Sequence, residues 1–506
     1  MADNLKTVSI VAPGFYGLNT QESGVTLSSG FALTADNCVI DKYGRIGARK
    51  GWLAISNQSA ALGTNPITAI YEFVKGNGDK EIIVTGNKSI FRLDGNTLTQ
   101  LYVDTSLPSS NFKIVQIKDQ LFFFMYGAEP LYYDGISVVK ISTATGYVGT
   151  APQARVATAA FGRIWAAHTT NNKVTLYWSD LLNGLVWSTG SAGSLDLTTV
   201  FPNGIDEITG IAAHNGFLLI LCRKCIIVYA NGSTPANLSL NDIMKDVGCI
   251  APDSVQATGN DLVFLSDRGV MSLGTLISEK ALPQNDLSRN VRDDLLQNLG
   301  VDDFDNIKSV YYAKDAFYLL TVPSLKQVYC FDMRGRLENG AARVTVWQNF
   351  EPKAFAVLRD RRLLMGFAGA VGNYTGYTDN GTKYRMIYYT NYFNFGEESA
   401  STLKFLKRIN FVVIGGQNQG FVTKWAFDYS SAFQSGTTVL PSAAVSYYND
   451  DEYTVAEYAT GIVLARVSQQ AGGSGNLVQV GIEADIDGSP LSLQKIDVFV
   501  KTGKLI

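Results

Sequence analysis

Hydrophobic and polar residues alternate along this chain in short runs, and a period of two predicts strands with one face in a core. A unit of three or four such runs recurs, with starts near residues 67, 113, 154, 208, 253, 307 and 353. In each unit a turn leads into a run that is apolar on both faces, as at 121–125 and 217–221. A strand buried on both sides and a period of about 40 to 50 residues are typical of a β-propeller.

The repeat therefore predicts an all-β protein with a propeller of about seven blades over residues 61–395. The blade number depends on whether a strand borrowed from the other end of the region completes the first or last blade. Stacked antiparallel sandwiches are the alternative, although they give no reason for a steady period. One long interval contains the strongest helix pattern, 285–300, with Ser288 as the N-cap and Gly300 as the stop. We expect this helical insertion near 275–306.

From residue 396 the period is lost, and longer alternating runs broken by Gly, Ser and Asn predict a C-terminal antiparallel sheet or sandwich over 396–506. Residues 1–60 remain as an N-terminal arm. Within this arm the segment "ADNCVIDKYGRIGARKGW", residues 35–52, concentrates charge in a chain where charge is otherwise thin. Its candidate platform or interface residues are Asp41, Arg45, Arg49, Lys50 and Trp52.

The charged segment has the pattern of a turn between two short strands, with Gly44 relieving the tight backbone. Arg49 is a candidate for a bidentate pair with a carboxylate, and Trp52 for an anchor on the propeller. Two interpretations stay open. The arm either joins the C-terminal sheet to form a platform, or it closes the propeller and leaves a solvated hairpin.

The helical insertion carries the most acidic local cluster of the chain. A solvated helix face explains such a cluster, and so does a wall that repels phosphate, in a lumen or between subunits. The residues concerned are Asp293, Asp294, Asp302, Asp303 and Asp305.

Composition narrows the classes of function. The formal net charge of −3 gives no basic footprint for gripping nucleic acid. The apolar runs are far shorter than the roughly 20 residues of a membrane-spanning helix. Five scattered cysteines favour reduced thiols in a protein made in a cytoplasm. Cys222 and Cys225 form a C-x-x-C, but the context has the pattern of a strand and no second pair completes a zinc site, so we expect no metal and no cofactor.

Catalytic motifs are missing from the sequence. It has two histidines, and no nucleophile elbow, H-E-x-x-H pair, Walker loop or dinucleotide fingerprint. The loop carboxylates Asp180, Asp206, Glu207 and Asp267 keep a glycosidase open in principle. Turn chemistry explains the same residues. We expect a protein that is not an enzyme.

One family resemblance is specific. Residues 12–52, "APGFYGLNTQESGVTLSSGFALTADNCVIDKYGRIGARKGW", contain G-L-N-T and then the spacing A-x-N-x-x-x-D-x-x-G-x-[IL]-x-x-R-x-G, formed by Ala35, Asn37, Asp41, Gly44, Ile46, Arg49 and Gly51. This segment resembles the N-terminal signature of the tail nozzle proteins, or tail tubular proteins B, of short-tailed double-stranded-DNA bacteriophages. Weaker similarity to that family covers "FLSDRGVMSLG", "NDLSRNVRDDL" and "TNYFNFGEESASTLKFLKRINFVVIGG".

The resemblance implies a structural virion protein of the phage tail, made in the host cytoplasm. It implies a homohexameric ring below the portal and adaptor, through which genomic DNA leaves the capsid without tight binding. Its expected partners are further copies of the chain, the tail adaptor and tail fibres. The alternative function is a propeller glycan-binding protein or glycosidase acting on the host surface, and a third is a monomeric propeller that serves as an interaction hub.

Overall fold

The computed structural model describes residues 5–202, 204–259, 261–274, 286–301, 304–396, 402–442 and 462–503. Strands dominate this part of the chain, as the alternating pattern predicts. Among the described residues, no helix has the length and the apolar character that a membrane span requires. The arm contributes β1 (Leu5–Val11), β2 (Gly17–Leu18), β3 (Phe31–Asp36), β4 (Cys38–Ile40), β5 (Ile46–Ala48) and β6 (Trp52–Ala54).

Small antiparallel sheets follow one another along residues 67–272. The first is β7 (Ile67–Val74), β8 (Lys80–Gly86), β9 (Ser89–Asp94) and β10 (Thr97–Val103). The second is β11 (Lys113–Ile117), β12 (Gln120–Met125), β13 (Ala128–Tyr133) and β14 (Val138–Lys140). The third is β15 (Val156–Ala160), β16 (Arg163–Ala167), β17 (Thr175–Trp178) and β18 (Gly193–Asp196). The fourth is β19 (Ile208–His214), β20 (Phe217–Cys222), β21 (Cys225–Ala230) and β22 (Ser239–Lys245), and the fifth is β23 (Gln256–Ala257), β24 (Leu262–Ser266) and β25 (Gly269–Ser272).

Helix α1 (Arg292–Leu299) precedes two further groups of strands. The first group is β26 (Ser309–Tyr312), β27 (Phe317–Val322), β28 (Gln327–Asp332) and β29 (Arg343–Gln348). The second is β30 (Ala354–Val357), β31 (Leu363–Phe367) and β32 (Ala370–Tyr374), completed by β6 of the arm, which pairs with β32. Short 3-10 helices lie at Ile141–Thr143, Pro235–Asn237, Pro252–Ser254, Arg289–Val291 and Pro323–Leu325.

The first strands of these sheets form a closed ring. β7 contacts β11, β11 contacts β15, and β15 contacts β19. The 3-10 helix Pro252–Ser254 links β19 to β26, and β30 then contacts both β26 and β7. Sheets that radiate from such a ring make a β-propeller, which confirms the prediction of an all-β protein with a propeller. Six of these sheets stand alone, whereas β26–β29 also belong to a larger sheet.

The strands that the sequence marks as apolar on both faces lie between two cores. In β12, Leu121 and Phe123 pack in the core shared with the first sheet. Phe122 and Phe124 point the other way, into the core shared with the third sheet. All four side chains are fully buried. Successive residues of a strand point to opposite faces, so radial packing of sheets requires this continuous apolar run.

The remaining strands build two large sheets together with the arm. They are β33 (Tyr384–Thr390), β34 (Lys404–Gly416), β35 (Gly420–Phe427), β36 (Gln434–Val439), β37 (Ile462–Gln470), β38 (Ser474–Gly475), β39 (Val478–Ile486) and β40 (Leu491–Thr502). The seven-stranded sheet has the order β37-β34-β40-β5-β4, with β1 on β40 and β38 on β34. The ten-stranded sheet has the order β26-β27-β28-β29-β2-β3-β33-β39-β35-β36. β33 lies before residue 396 and nevertheless pairs with β39.

The helical insertion differs from its prediction at its N-terminal end, and it stops at Gly300 as predicted. The α-helix does not span the whole of 285–300. It begins only at Arg292, because residues 289–291 form a 3-10 turn. Ser288 does not cap the helix: its hydroxyl accepts the Val270 N–H at 3.0 Å and donates to Asp286 at 2.8 Å, which ties the segment to β25. Gly300 ends the helix with a right-handed φ of −62°.

Candidate functional site at the arm junction and the propeller mouth

The β4–β5 hairpin has the predicted turn. The Asp41 carboxylate accepts the backbone N–H groups of Tyr43 at 2.8 Å and Arg45 at 3.0 Å, and it pairs with the Arg45 Nε at 2.7 Å. The Arg45 guanidinium lies 4.3 Å from the centre of the Tyr43 ring. Gly44 has a φ of +73°, and a Cβ at this position would lie 2.4 Å from the Pro13 Cβ. Glycine is therefore required both by the backbone angle and by the close approach of Pro13.

Arg49 is fully buried and forms the predicted bidentate pair. Its two terminal nitrogens donate to the Asp379 carboxylate at 2.8 and 2.6 Å, and its Nε donates to the Asn37 Oδ1 at 2.9 Å. The Phe350 and Tyr384 rings lie 4.3 and 4.0 Å from the guanidinium carbon. A buried guanidinium needs partners for its donors, and this one has them on several elements at once.

Lys50 and Trp52 continue the arm onto the propeller. The Lys50 Nζ lies 3.8 Å from the Asp315 carboxylate. Trp52 lies in β6 and stacks on Phe367, with ring centres 3.9 Å apart and planes inclined by 17°. Asp41 and Lys50 keep about a third of their side chains exposed, at 30% and 35%. The charged segment thus forms an internal junction between the propeller and the large sheets, which we call the arm junction (residues 37–52 with Asp379).

The predicted acidic cluster divides between two locations. Asp293 and Asp294 lie in the first turn of α1, and the Asp293 side chain is 75% exposed. Asp305 instead pairs with Arg155 at 2.6 Å. Asp302 and Asp303 lie outside the described residues. The pattern of acids in the sequence therefore combines an exposed helix face with a residue that belongs to the propeller.

Charged side chains from well-separated repeats meet where the first strands of the sheets begin. The Lys308 Nζ donates to the Asp253 Oδ2 at 2.6 Å, and Lys113 binds the other oxygen of that carboxylate. Arg155 and Asp305 complete the set, which we call the mouth network. Lys113, Asp253 and Lys308 also line a cavity of about 200 Å³ at this end of the propeller channel.

The mouth network links sheets that are not neighbours in the ring. Lys113 begins β11, whereas Asp253 precedes β23 and Lys308 precedes β26. Asn111 connects the Lys308–Asp253 pair to the Arg155–Asp305 pair. Its side chain accepts a hydrogen bond from the Lys308 Nζ at 2.7 Å and donates one to the Asp305 carbonyl at 3.0 Å. Burial, with a smaller contribution from Lys308, lowers the pKa of Lys113 to about 7. The network braces the propeller across its axis, and no pattern in the sequence predicted it.

Two of the loop carboxylates, Asp180 and Glu207, have lowered pKa values, which do not suit a glycosidase acid. Hydrogen bonds from the Ser191 hydroxyl and N–H lower the pKa of Asp180. Desolvation opposes the lowering of the Glu207 pKa, but Lys173 at 3.1 Å and Arg223 at 3.3 Å outweigh it. A general acid for glycoside cleavage needs a raised pKa. Neither residue meets that requirement.

Asp206 lies beside the two cysteines of the C-x-x-C. β20 ends at Cys222 and β21 begins at Cys225, so the cysteines flank a two-residue turn of a hairpin, not the middle of one strand as the sequence pattern predicted. A carboxylate oxygen of Asp206 and the two sulfurs lie within 4.8 Å of one another. All five cysteines are buried and form no disulfide.

No protein-family model matches this chain, and no curated protein matches it. Among solved structures, BamB from Moraxella catarrhalis aligns with a TM-score of 0.39 and 10% identity over 73% of this chain and 96% of its own. The WD40 β-propeller domain of Doa1 aligns with a TM-score of 0.39 and 9% identity over 64% of this chain and 96% of its own. The Neurospora crassa Pan2 WD40 domain aligns with a TM-score of 0.37 and 10% identity over 65% and 95%. Similarities this weak carry no argument about function.

Proposed function

We propose that this chain is a structural protein of a phage tail, a nozzle that assembles into a ring and forms part of the conduit for genome ejection. The observation that carries the proposal is the way the arm is built into the rest of the chain. β1 and β5 pair with β40, β2 and β3 join the ten-stranded sheet, and β6 completes the last propeller sheet. A free-standing propeller needs only β6 of this arm, whereas a ring component can use the remaining strands as a rigid platform beside the propeller.

The proposed conduit lies between copies of the chain and not along the axis of one propeller. The mouth network crosses that axis with ion pairs from Lys113 and Lys308 to Asp253. A ring of copies, six by the resemblance, encloses a separate channel. The formal net charge of −3 suits such a channel, because each phosphate neutralised by Lys or Arg would add affinity and slow the passing DNA.

Two finer features of the architecture belong to the same proposal. We count β26–β29 as a blade, because β26 contacts β30 and β23 in the ring, and this count gives seven blades. We also assign residues 1–60 to an arm, 61–395 to the propeller and 396–506 to a C-terminal unit that forms the platform with the arm, and β33 joins this platform although it lies before residue 396. In the proposed virion the platform binds the tail adaptor, and tail fibres attach to the outside of the ring.

A cleft beside the arm is the proposed contact surface for the adaptor. It has a volume of about 720 Å³ and is open to solvent. Its walls come from the arm and from the loop before β29, at residues 9–11, 28–31 and 336–339. Glu338 is an exposed residue of that loop. Residues 28–31 belong to the segment that carries the family resemblance, so part of that segment lines an open cleft.

Mass in solution tests the proposal most directly. We expect light scattering or native mass spectrometry of the full chain, alone and with its tail adaptor, to give a ring, and imaging to give six-fold symmetry. Glu338→Arg should weaken assembly with the adaptor by at least tenfold. Asn77→Arg, which adds the same side chain on an exposed turn of the first sheet, is the matched control.

The rival function makes the opposite prediction. A propeller glycan-binding protein or glycosidase acting on the host surface would remain a monomer that ignores the adaptor, and it would bind or cleave host glycans. That combination of results would overturn the nozzle proposal. A ring that forms only on the adaptor would support it.

A further inference from the structure

We propose that Asp206, Cys222 and Cys225 bind a zinc ion at the turn of the β20–β21 hairpin. The three ligand atoms lie within 4.8 Å of one another. In tetrahedral zinc sites the Zn–S bonds are about 2.3 Å and the Zn–O bonds about 2.0–2.2 Å, so ligand atoms lie about 3.5–4 Å apart. Separations of up to 4.8 Å exceed that geometry by about 1 Å, so the ligand atoms need to move only a short distance to bind the ion.

The backbone fixes the positions of all three ligands. Cys222 and Cys225 flank a two-residue turn in a hairpin whose strands pair from Leu221 and Ile226 onward. The Arg223 N–H donates to the Glu207 carbonyl at 3.0 Å, which attaches the turn to the segment that carries Asp206. A metal site of this kind needs little rearrangement of the chain.

The Asp206 carboxylate is already aimed at the turn. Its Oδ2 accepts the Lys224 N–H at 2.8 Å, and its Oδ1 accepts the Glu207 N–H at 2.8 Å. A carboxylate oxygen has two lone pairs, so each oxygen keeps one for a metal. Hydrogen bonds to a ligating carboxylate are the supporting contacts that metal sites commonly use to orient their ligands.

The donor set selects the class of ion. Thiolates favour zinc and other soft ions, whereas magnesium and calcium require oxygen ligands. Two thiolates and one carboxylate exceed the charge of a divalent ion by one, and the positive charge of Lys224 in the turn offsets that excess. Three protein ligands leave the fourth tetrahedral position to a water molecule.

The other cysteines differ from this pair. The Cys249 thiol is buried nearby, but it donates to the Ala251 carbonyl at 3.2 Å. In the described part of the chain, no other group of three His, Cys, Asp or Glu side chains comes this close together. Cys249 therefore serves as a control, because Cys249→Ser removes a buried thiol close to the site without removing a proposed ligand.

Cobalt(II) is the probe for the experiment, because its tetrahedral thiolate complexes absorb strongly. Titration of Co²⁺ into the metal-stripped full chain should give thiolate-to-cobalt charge-transfer absorption that saturates at one equivalent and is displaced by Zn²⁺. Cys222→Ser should weaken binding by at least about 100-fold, since even changes around the ligands cost about 10–100-fold. Asp206→Asn should weaken binding at least tenfold and keep the thiolate absorption, and Cys249→Ser should leave the titration unchanged.

Two results would overturn the site. One is an unchanged cobalt spectrum in a wild-type chain whose five thiols are all reduced. The other is a Cys222–Cys225 disulfide in protein purified without oxidant, detected as two fewer titratable thiols. Urea unfolding of each variant checks that it is folded, so that a lost cobalt signal reports on ligands. The zinc site is independent of the proposed tail role, and failure of one leaves the other standing.

Discussion

The arm junction and the mouth network are both polar clusters that connect distant parts of the chain, but they differ in exposure. At the junction, Arg49 is fully buried, and its donors reach Asp379 and Asn37. At the mouth, the side chains of Lys113 and Asp253 are 20% and 23% exposed. Water reaches both partners at the mouth, whereas at the junction it reaches Asp379 and not Arg49. We therefore expect the same type of substitution to cost much more at the junction than at the mouth.

Arg49→Met tests the larger cost, which is expected at the arm junction. Removing one partner of a buried ion pair leaves the other charge uncompensated, which costs about 3–5 kcal/mol. We expect a loss of about 3 kcal/mol in the free energy of unfolding in urea, because the Asp379 side chain is 20% exposed and water can partly solvate it.

The matched control for Arg49→Met is the double variant Arg49→Met/Asp379→Asn. It should be less destabilised than the sum of the two single variants, because no charge remains unpaired. A loss below about 1 kcal/mol for Arg49→Met would show that the pair contributes no more than an exposed one.

Gly44→Ala separates backbone strain from close contact in the same junction. A left-handed conformation costs a non-glycine residue about 1–2 kcal/mol, and forcing a methyl group against Pro13 adds about 1 kcal/mol or more. We expect a total loss of about 2–3 kcal/mol in the free energy of unfolding. Gly95→Ala is the control, because Gly95 has a φ of +62° and no atom lies within 4 Å of the place that a Cβ would occupy. Equal losses in the two variants would contradict a role for Pro13.

The strand pattern and the turn chemistry of the arm could be predicted from the sequence because both are local. The turn at Gly44 is set by neighbouring residues, and the need of Arg49 for a carboxylate follows from its own chemistry. The partner itself could not be predicted, because Asp379 lies 330 residues away. The position of β6 in the last sheet fits the idea of a borrowed strand, although no local signal singles out residues 52–54.

The mouth network could not be predicted, because each of its members looks like an ordinary turn residue. Lys113, Asp253 and Lys308 each stand at or just before the first strand of a different repeat. Only closure of the ring brings these positions together. The signal that could have revealed the network is the presence of charged residues at equivalent positions of different repeats. Asp206 was overlooked near the cysteines for a different reason: pairing of Ile208 with Cys222 within one hairpin brings it there, and the sequence gives no register for that pairing.

Lys113→Met tests the mouth network through pH. The pKa of Lys113 is lowered to about 7, so between pH 7 and 10 the unfolded chain binds more protons at this site than the folded chain. Stability rises with pH when the unfolded state binds more protons. The wild type should therefore gain about 1–2 kcal/mol relative to Lys113→Met from pH 7 to pH 10, since each pKa unit is worth about 1.4 kcal/mol and solvent at the partly exposed side chain screens much of the effect.

Urea unfolding at several pH values measures this difference. Lys75→Met is the control for loss of an ion-paired lysine, because Lys75 pairs with Glu81 at 2.6 Å in the first propeller sheet. Parallel pH profiles for the wild type and Lys113→Met would contradict the prediction, and they would mean that Asp253 keeps the Lys113 ammonium charged throughout this range.

The smallest effect is expected at the exposed acids of α1. Asp293 and Asp294 lie in the first helical turn, where a negative charge interacts favourably with the helix dipole by about 0.3–1 kcal/mol. We expect Asp293→Asn, at a side chain 75% exposed, to lower the free energy of unfolding by about 0.5 kcal/mol or less. Asp305→Asn should cost more, because Asp305 pairs with Arg155 at 2.6 Å. A larger loss for Asp293→Asn than for Asp305→Asn would show that exposure does not determine how much a charged side chain contributes to the free energy of unfolding. The acidic residues of the insertion would then act as one cluster.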